Sequence, residues 1–306
     1  MTESYKIIQI TRDEENSRLD RVIRKKHPYL NQAKIEKSLR SKLISVNQKK
    51  VASNYRINLG DYVQIANSLV QEEPQYSRKR ISESNIKLLA DNIIYRDGDL
   101  IALNKPSGLA VQGGSKIKIS IDDIMPELLK NMGTWTENKP IHKLVHRLDK
   151  ETSGILIIAL NNYTAQELSL SFKERDISKK YLAILKGKVK TNNGQISTII
   201  DKDNRKITEI NAISDYRILS KNSQASLVEF SPITGKNHQL RLHALELGFP
   251  ILGDNRYDPS FIDSNEKNLH LHAVEMKIPY QHNILKLKAE LPEYFLKTLS
   301  RLKLKL

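Results

Sequence analysis

The chain contains no cysteine in its 306 residues, which excludes disulfide bonds, thiolate nucleophiles and cysteine-ligated zinc. No apolar run approaches the roughly 18 residues that a membrane span needs. The first residues also lack the apolar stretch of a secretory signal peptide. These absences predict a cytoplasmic protein without a membrane anchor.

Several familiar catalytic motifs are absent as well. Neither GxxxxGK[ST] nor GxGxxG occurs, so the sequence predicts no nucleotide cofactor. G-x-S-x-G is missing too, which argues against a serine hydrolase. His142 and His146 have the spacing of a zinc-binding helix, and His270 and His272 alternate as on a strand. Their surroundings favour hydrogen-bonded structural histidines, and we expect no metal site.

The chain has a large excess of positive charge, and that charge is concentrated. Its 50 Lys and Arg against 35 Asp and Glu leave a net charge of +15. Residues 17–64 contain twelve basic and three acidic residues, a net charge of +9. Such a block favours a polyanionic partner such as nucleic acid, although excess lysine also occurs as a merely solvated surface.

Two short helices are predicted inside this basic block. In "SRLDRVIRKKHPYL" apolar residues recur at helical spacing, Ser17 is the candidate cap and Pro28 ends the pattern. In "NQAKIEKSLRSK" the candidate cap is Asn31. Three positions of this second helix are predicted to face inward: Ala33, Ile35 and Leu39. Its outward face carries a basic stripe: Lys34, Lys37 and Arg40.

After these helices, "LISVNQKKVASNYRINLGDYVQI" alternates in the manner of short strands, with a turn at Asn47–Gln48 beside Lys49 and Lys50. Two small helices and a few strands, basic on one side, resemble the S4-type RNA-binding domain. We therefore expect an N-terminal extension at 1–16 and an S4-like domain at 17–65. The polar segment 66–84 is predicted to be a linker, and 85–306 to be a catalytic domain.

The region from Asn85 onward is rich in strand patterns. Helices are predicted at "DDIMPELLKNM", "YTAQELSLSFKER", "NHQLRLHALELG", closed by Gly248, and "LPEYFLKTLSRLKLKL". Strands are predicted at "NIIYRDGDLIALNK", "KKYLAILKGKV", "RKITEINAISDYRIL" and "ASLVEFSPI". The fold class that these patterns favour is α+β with a mainly antiparallel mixed sheet.

One short segment, "HKLVHRLDKETSGILIIAL" at residues 142–160, places charged residues directly before an apolar run. Asp149 lies at that junction, ahead of the turn-forming "KETSG". An aspartate there often accepts backbone N–H groups in a tight turn, and the local pattern by itself favours this structural role. The alternative is a catalytic carboxylate at the edge of a core.

Four motifs in order resemble those of the RNA pseudouridine synthases of the RluA family. They are "NKPSGLAVQGG" at 104–114, "HRLDKETSG" at 146–154, "KKYLAILKG" at 179–187 and "SLVEFSPITGKNHQLRLHALELGFPILGDNRY" at 226–257. An S4-like domain ahead of such a catalytic domain is similar to the branch that modifies bacterial 23S ribosomal RNA. The resemblance implies an RNA-modifying isomerase that uses no cofactor. We also expect no metal and a monomer.

The resemblance also implies roles for individual residues. Asp149 matches the catalytic aspartate, Arg241 the arginine that pairs with it, and Tyr181 the tyrosine that stacks on the target base. Arg147 matches a residue that enters the space left by a flipped base. The residues expected to bind RNA are Arg147, Lys105, Arg18, Lys34, Lys37, Arg40, Lys49 and Lys50, with holding the catalytic loop as the alternative role of Lys105. Whether the carboxylate attacks the sugar, attacks the base or assists a glycal intermediate stays open.

Three departures from the family pattern are Lys236 in place of arginine, Gln112 in place of histidine and Asp258 in place of glycine. They bear on substrate detail more than on activity. Three other functions stay open: a noncatalytic RNA-binding or ribosome-assembly protein, a nucleoside hydrolase or glycosylase, and a synthase acting on transfer RNA.

Overall fold

The computed structural model describes residues 4–27, 29–70, 81–114, 117–133, 142–200, 211–261 and 266–306. The chain divides into two compact units, Met1–Arg80 and Ile81–Leu306. No helix of the described ranges is both long and apolar enough to cross a membrane.

The first unit packs helices on a small antiparallel sheet whose strand order is β1-β3-β2. Its strands are β1 (Tyr5–Gln9), β2 (Ile44–Val46) and β3 (Tyr62–Ala66), and its helices are α1 (Leu19–Lys26), α2 (Gln32–Arg40) and α3 (Asn67–Val70), with a 3₁₀ turn at Arg12–Glu14. Leu19, Ile23 and Ile35 of the two longer helices are fully buried against Ile44 and Ile65 of the sheet. The apolar positions of the two helical patterns therefore form this core.

Local signals explain where these elements begin and turn. The Asn31 side chain accepts a hydrogen bond from the Lys34 amide at 2.8 Å, so the predicted cap of α2 is confirmed. Ala33, expected to face inward, is exposed. Helix α1 is preceded by Arg18 as its N-cap residue, one position later than the predicted Ser17. Pro28 lies outside the described residues.

The hairpin turn predicted at Asn47–Gln48 is confirmed. Both residues have positive φ, and Val46 and Lys49 exchange two backbone hydrogen bonds across them. This is the geometry of a two-residue hairpin turn, which asparagine tolerates well. Lys49 and Lys50 are left exposed beside it.

The ends of the first unit differ from the boundaries predicted from the sequence. Residues 1–16 are predicted to precede the basic domain, but β1 pairs with β3 from Tyr5 to Gln9 and belongs to its sheet. The predicted linker 66–84 contains α3 and the start of the next helix, while residues 71–80 lie outside the described ranges. Strand β1 has only short apolar stretches, so its pattern alone does not indicate a strand of this domain.

The second unit is built around a ten-stranded sheet. Its strands are β4 (Ile93–Arg96), β5 (Leu100–Lys105), β6 (Lys143–Leu144), β7 (Ser153–Ala159), β8 (Ser178–Lys186), β9 (Asn193–Thr198), β10 (Ala212–Lys221), β11 (Ala225–Pro232), β12 (Leu271–Tyr280) and β13 (Asn283–Lys288). Its helices are α4 (Glu83–Ala90), α5 (Ile121–Asn131), α6 (Asn162–Glu174), α7 (Gln239–Glu246) and α8 (Glu293–Arg301).

The strands of this sheet follow the order β4-β5-β7-β12-β8-β11-β10-β9, with β13 paired to β12 and β6 to β7. The pairing of β12 with β7 is parallel, and the other pairings among described strands are antiparallel. The predicted fold class, α+β with a mainly antiparallel mixed sheet, is thus confirmed. Of the predicted strand "RKITEINAISDYRIL", the part before Asn211 lies outside the described residues.

Strand β7 is the apolar run that follows Asp149, and all seven of its residues are buried. Each fully buried isoleucine or leucine of such a strand contributes about 1.5–3 kcal/mol by leaving water. Residues 145–152 form the polar segment that leads into it. The Asp149 carbonyl accepts a hydrogen bond from the Thr152 amide at 3.2 Å, so the chain turns there before it enters the core.

Gly154 allows β7 and β12 to approach each other closely. Its φ is +107°, and a β-carbon at this position would lie 2.3 Å from the Ala273 carbonyl oxygen. Only glycine fits both the backbone conformation and the space. This contact holds the segment around Asp149 at one edge of the central strands.

Candidate active site

A cleft of about 230 Å³ opens beside Asp149 in the second unit. Asp149 reaches it from the segment before β7, and Tyr181 reaches it from β8. Residues 234–238 and the first turn of α7, which includes Arg241, form the opposite wall. The tertiary structure therefore brings together all three residues predicted to be catalytic.

Asp149 is largely shielded from solvent. Its side chain is 19% exposed, and no hydrogen bond from a described residue reaches its carboxylate. The nearest basic group among the described residues is His238, whose Nε2 lies 3.8 Å from Asp149 Oδ1. The carboxylate oxygens of a turn aspartate would accept hydrogen bonds from backbone N–H groups. The geometry of Asp149 therefore favours a chemical role over the structural one.

Arg241 pairs with a different carboxylate from the one expected. Its Nε and one terminal nitrogen donate to the two oxygens of Asp254 at 2.8 and 2.6 Å. The predicted direct pairing with Asp149 is wrong for this structure, although the Asp149 charge also attracts Arg241. Burial opposes the charge of Arg241, but the bonds to Asp254 outweigh it and raise the pKa of the guanidinium.

Asp254 is held ionised by the same contact. Burial acts to raise its pKa, but the hydrogen bonds from Arg241 and from the Arg256 and Tyr257 amides lower it overall. Sequence reasoning missed Asp254, because a "GD" before a turn reads as ordinary turn chemistry. Its position 13 residues after Arg241 carried no signal of pairing.

Lys105 does not contact solvent, and of the two roles predicted for it, holding RNA or holding the catalytic loop, its contacts favour the second. The side chain is 0% exposed, and its Nζ donates to the carbonyls of Pro106, Leu109 and Lys150 at 2.8–3.0 Å. Burial lowers its pKa to about 7, while the charges of Glu151 and Asp149 act in the opposite direction. Lys105 instead ties the "KPSG" turn to the segment that carries Asp149.

Tyr181 lies deep in the cleft wall. Burial is the main cause that raises the pKa of its phenol, and the negative charge of Asp149 adds to it. The phenol therefore keeps its proton at neutral pH and presents a flat, uncharged ring. Arg147, by contrast, is exposed at the rim of the same cleft.

Lys179 is a cleft residue that the sequence did not single out. It lies two positions before Tyr181 on β8, so both side chains point to the same side of the sheet. Burial lowers its pKa, and the described residues offer its Nζ no hydrogen bond or ion pair. Lys180 points to the other face and pairs with Glu229 at 3.4 Å.

The loop that faces Asp149 is fixed from behind by Gln239. This buried side chain accepts hydrogen bonds from the Lys236 amide and the Thr234 hydroxyl at 2.9 and 2.7 Å. Its Nε2 donates to the Ile213 carbonyl and the Ser214 hydroxyl at 3.0 and 2.9 Å. All of its polar capacity is used, so residues 234–238 are anchored to β10.

Apart from Leu271, the residues that line the cleft lie within a segment that matches a known family. A family model described as RNA pseudouridylate synthase matches residues 99–246, which include Asp149, Tyr181 and Arg241. A ribosomal large subunit pseudouridine synthase C from Rickettsia prowazekii (strain Madrid E) is 40% identical over 294 residues, which cover 91% of this chain and 95% of that protein. The chain belongs to the RNA pseudouridylate synthase family.

Other relatives agree with this assignment. The protein of the same name from Rickettsia bellii (strain RML369-C) is 41% identical, and the match covers 91% of this chain and 96% of that protein. Among solved structures, Human RNA Pseudouridylate Synthase Domain Containing 4 is 28% identical with a TM-score of 0.64. The match covers 76% of this chain and 99% of the human chain. The synthase is thus an isomerase with an RNA substrate.

The four histidines considered as metal ligands are bound to protein groups. His142 Nε2 lies 2.8 Å from Asp122 Oδ1, and His146 Nε2 accepts a hydrogen bond from the Ile157 amide at 2.8 Å. His270 Nε2 lies 2.9 Å from the Thr298 hydroxyl, and His272 Nδ1 lies 2.9 Å from the Ser153 hydroxyl. At least one ring nitrogen of each of these histidines is thus engaged by a protein group.

The basic residues predicted to bind RNA in the first unit are mostly exposed. Five of them are exposed: Lys34, Lys37, Arg40, Lys49 and Lys50. Arg18 differs, because its guanidinium donates to both oxygens of Asp20 at 3.1 and 2.7 Å. Helix α2 therefore presents a basic face, while Arg18 has a carboxylate partner of its own.

Proposed function

We propose that this synthase converts uridines of the large-subunit ribosomal RNA to pseudouridine, with Asp149 as the catalytic carboxylate. The observation that carries the proposal is the geometry at Asp149. Its carboxylate lines a cleft beside Tyr181 and has no hydrogen-bond donor among the described residues. A group left in this state is available to a substrate.

The choice of ribosomal RNA is supported by the relatives. The Rickettsia proteins that match more than nine-tenths of the chain carry the name ribosomal large subunit pseudouridine synthase C. Agreement over nearly the full length includes the basic first unit as well as the catalytic unit. The bacterial 23S RNA, free or in an assembling large subunit, is the substrate we infer, and transfer RNA is the alternative to be tested.

The reaction is an isomerisation that needs neither redox chemistry nor an energy source. The bond between uracil N1 and ribose C1′ breaks, the base turns, and C5 bonds to C1′. The proton on C5 leaves to solvent and N1 gains a proton, so atoms and electrons balance. Asp149 acts on the ribose–uracil unit as nucleophile or base, and the proposal requires no cofactor and no metal.

The target uridine must leave its stack to reach this carboxylate. Tyr181, a neutral phenol in the cleft wall, supplies a flat ring for the base to stack on. Arg147 at the rim has a planar guanidinium suited to filling the vacated position in the RNA. Lys179, half-buried and without a partner among described residues, binds a phosphate next to the target nucleotide.

The first unit supplies affinity for the RNA backbone. We infer that it is an S4-like domain whose basic face, Lys34, Lys37 and Arg40 with Lys49 and Lys50, contacts phosphates without reading sequence. The enzyme works as a monomer in the cytoplasm, where ribosomal RNA is assembled.

The test uses unmodified 23S RNA labelled with tritium at uridine C5, incubated with wild type and with Asp149→Asn. Tritium appears in water when C5 bonds to C1′. We expect release by wild type, none by Asp149→Asn, and equal RNA binding by both. Removal of the carboxylate should lower the rate by at least about 10²–10⁴-fold, the range of acid–base groups.

Other outcomes would point to the other functions. Free uracil without tritium release would indicate a glycosylase, because isomerisation keeps the base on the RNA. Release from transfer RNA and not from 23S RNA would overturn the substrate assignment. Binding without release from either RNA, or from assembling particles, would favour a noncatalytic assembly factor.

A further inference from the structure

We infer that His238 is a positioning residue for the proposed catalytic carboxylate: its neutral ring points an Nε2–H at Asp149, and Tyr257 fixes the tautomer that does so. The inference rests on the proposed role of Asp149. The motif that contains both residues assigns no task to either of them.

The geometry places His238 between Asp149 and Tyr257. Its Nε2 lies 3.8 Å from Asp149 Oδ1, and its Nδ1 lies 2.9 Å from the Tyr257 hydroxyl. The His238 side chain is 13% exposed, and its ring meets the Tyr257 ring edge-on at 5.6 Å. Each ring nitrogen therefore has one defined neighbour.

These two neighbours select the tautomer. A neutral imidazole has one N–H, and the hydrogen bond at one nitrogen determines which nitrogen carries the proton. With the proton on Nδ1, the lone pair of Nε2 would face a carboxylate oxygen, which is repulsive. With the proton on Nε2, the Tyr257 hydroxyl donates to Nδ1 and an N–H faces Asp149, so both contacts are favourable.

The surroundings keep the ring neutral. Burial is the main cause that lowers the pKa of His238 below its ordinary value. Asp149 and Asp254 act to raise this pKa, and Arg241 and Arg256 act to lower it. Tyr257 is a further titratable group in contact with the ring. A neutral donor orients the carboxylate without forming an ion pair with it.

The backbone holds the ring in place. His238 has φ +55°, a left-handed conformation at the N-cap of α7, and Gln239 next to it anchors the loop. A non-glycine residue in this conformation is strained and persists where surrounding contacts fix it. The N–H of His238 orients the Asp149 carboxylate by electrostatic attraction. Because the distance of 3.8 Å is longer than a hydrogen bond, the carboxylate can still move to the nucleotide.

The experiment compares His238→Leu, His238→Gln and Tyr257→Phe with wild type in single-turnover tritium release from C5-labelled RNA across a pH range of about 5–8, which brackets the ordinary histidine pKa. We expect His238→Leu to lower the rate at saturating RNA about 100-fold with the RNA dissociation constant unchanged. His238→Gln, which keeps an N–H donor, should restore the rate to within about tenfold of wild type.

Tyr257→Phe keeps the ring but removes the hydroxyl, so it should give an intermediate loss of about tenfold. The wild-type rate should also fall in acid as His238 gains a proton and forms an ion pair with Asp149. This part of the acid limb should be absent in His238→Gln, which does not titrate. ¹⁵N spectra of histidine-labelled protein should show His238 protonated at Nε2, with its signals identified by their absence in His238→Gln.

Unchanged rates and an unchanged acid limb in His238→Leu and Tyr257→Phe would overturn the inference, as would an Nδ1–H tautomer. Asp149→Asn assayed on the same RNA separates this result from failure of the proposed function. An active Asp149→Asn enzyme would rule out the proposed catalytic role of Asp149 itself. An inactive Asp149→Asn beside a fully active His238→Leu would remove only the role of His238. Tyr257→Phe decides the matter if His238→Leu does not fold.

Discussion

The guanidinium of Arg241 binds the carboxylate of Asp254 through two hydrogen bonds at 2.8 and 2.6 Å, and both side chains are almost fully buried. The Tyr257 ring lies under the same guanidinium, with the Arg241 Cζ 5.1 Å from the ring centroid. Asp149 therefore faces an arginine whose charge is already compensated. The geometry of the wall opposite Asp149 depends on this pair.

Asp254→Asn should destabilise the catalytic unit strongly, because it leaves the buried Arg241 charge without its partner. Breaking a buried pair in this way costs about 3–5 kcal/mol, measurable by urea unfolding. The control is Glu293→Gln, which removes the exposed ion pair with Lys297 on α8 and should leave the unfolding midpoint unchanged. Equal midpoints for wild type and Asp254→Asn would contradict a structural role for the pair.

The same pair predicts a loss of stability in acid. Since the folded-state pKa of Asp254 is lowered, its contribution is fully present above the unfolded-state pKa of about 3.9. It is lost as the pH falls below that value through the folded pKa. The difference in unfolding free energy between wild type and Asp254→Asn should stay constant from about pH 7 to about pH 5 and narrow below about pH 4. A difference that narrows already near neutral pH would implicate another group.

Gly154→Ala should disrupt the junction of β7 and β12, because the added β-carbon would lie 2.3 Å from the Ala273 carbonyl oxygen. Because this clash adds to the strain at φ +107°, we expect the free energy of unfolding to fall by more than about 3 kcal/mol, or the variant not to fold. Gly98→Ala is the matched control, since a β-carbon added there would have no atom within 4 Å. Thermal unfolding of the two variants compares them directly, and similar melting temperatures would refute the close approach.

Lys179→Met should weaken RNA binding, whereas Lys180→Met on the same strand should not. Only Lys179 faces the cleft, and Lys180 already pairs with Glu229. Loss of one phosphate contact should make the slope of log K against log salt shallower by about 0.7, the value for single-stranded nucleic acid. Titrations at several salt concentrations measure it. If both variants shift the slope equally, the cleft-facing position of Lys179 is not what matters.

Replacing Lys34, Lys37 and Arg40 together by glutamine should lower RNA affinity uniformly across sequences. Three lost phosphate contacts would make the salt slope shallower by about 2–3. A charge-matched control replaces three exposed lysines of the catalytic unit, Lys286, Lys288 and Lys303. An equal effect of both sets would mean that total charge, and not the face of α2, determines binding.

The predictability of the site differs from residue to residue. Asp149 was identified by a motif and by its position ahead of an apolar run, and Tyr181 by a motif on a strand pattern. His238 and Lys179 are also in those motifs, yet neither carries a local pattern that distinguishes a cleft residue from a surface one. Only the i, i+2 spacing of Lys179 and Tyr181 offered a signal, because alternate residues of a strand share a face.

By itself the sequence determined the elements whose causes are local. The Asn31 cap, the Asn47–Gln48 turn and the apolar run of β7 all depend on residues within a few positions of one another. Periodicity and capping act over such distances, and they were enough to establish the fold class and the location of Asp149.

The tertiary structure decided which groups meet. It brings Gly154 into contact with Ala273 and Ser153 into contact with His272, and the residues of each pair are 119 positions apart. It also pairs Arg241 with Asp254 instead of Asp149. It also buried Lys105 beneath the segment of Asp149, whereas the sequence left open whether Lys105 holds RNA or the catalytic loop. A charged side chain can pair with any carboxylate that packing brings near. Strand order and close packing determine which carboxylate that is, and no local sequence pattern encodes them.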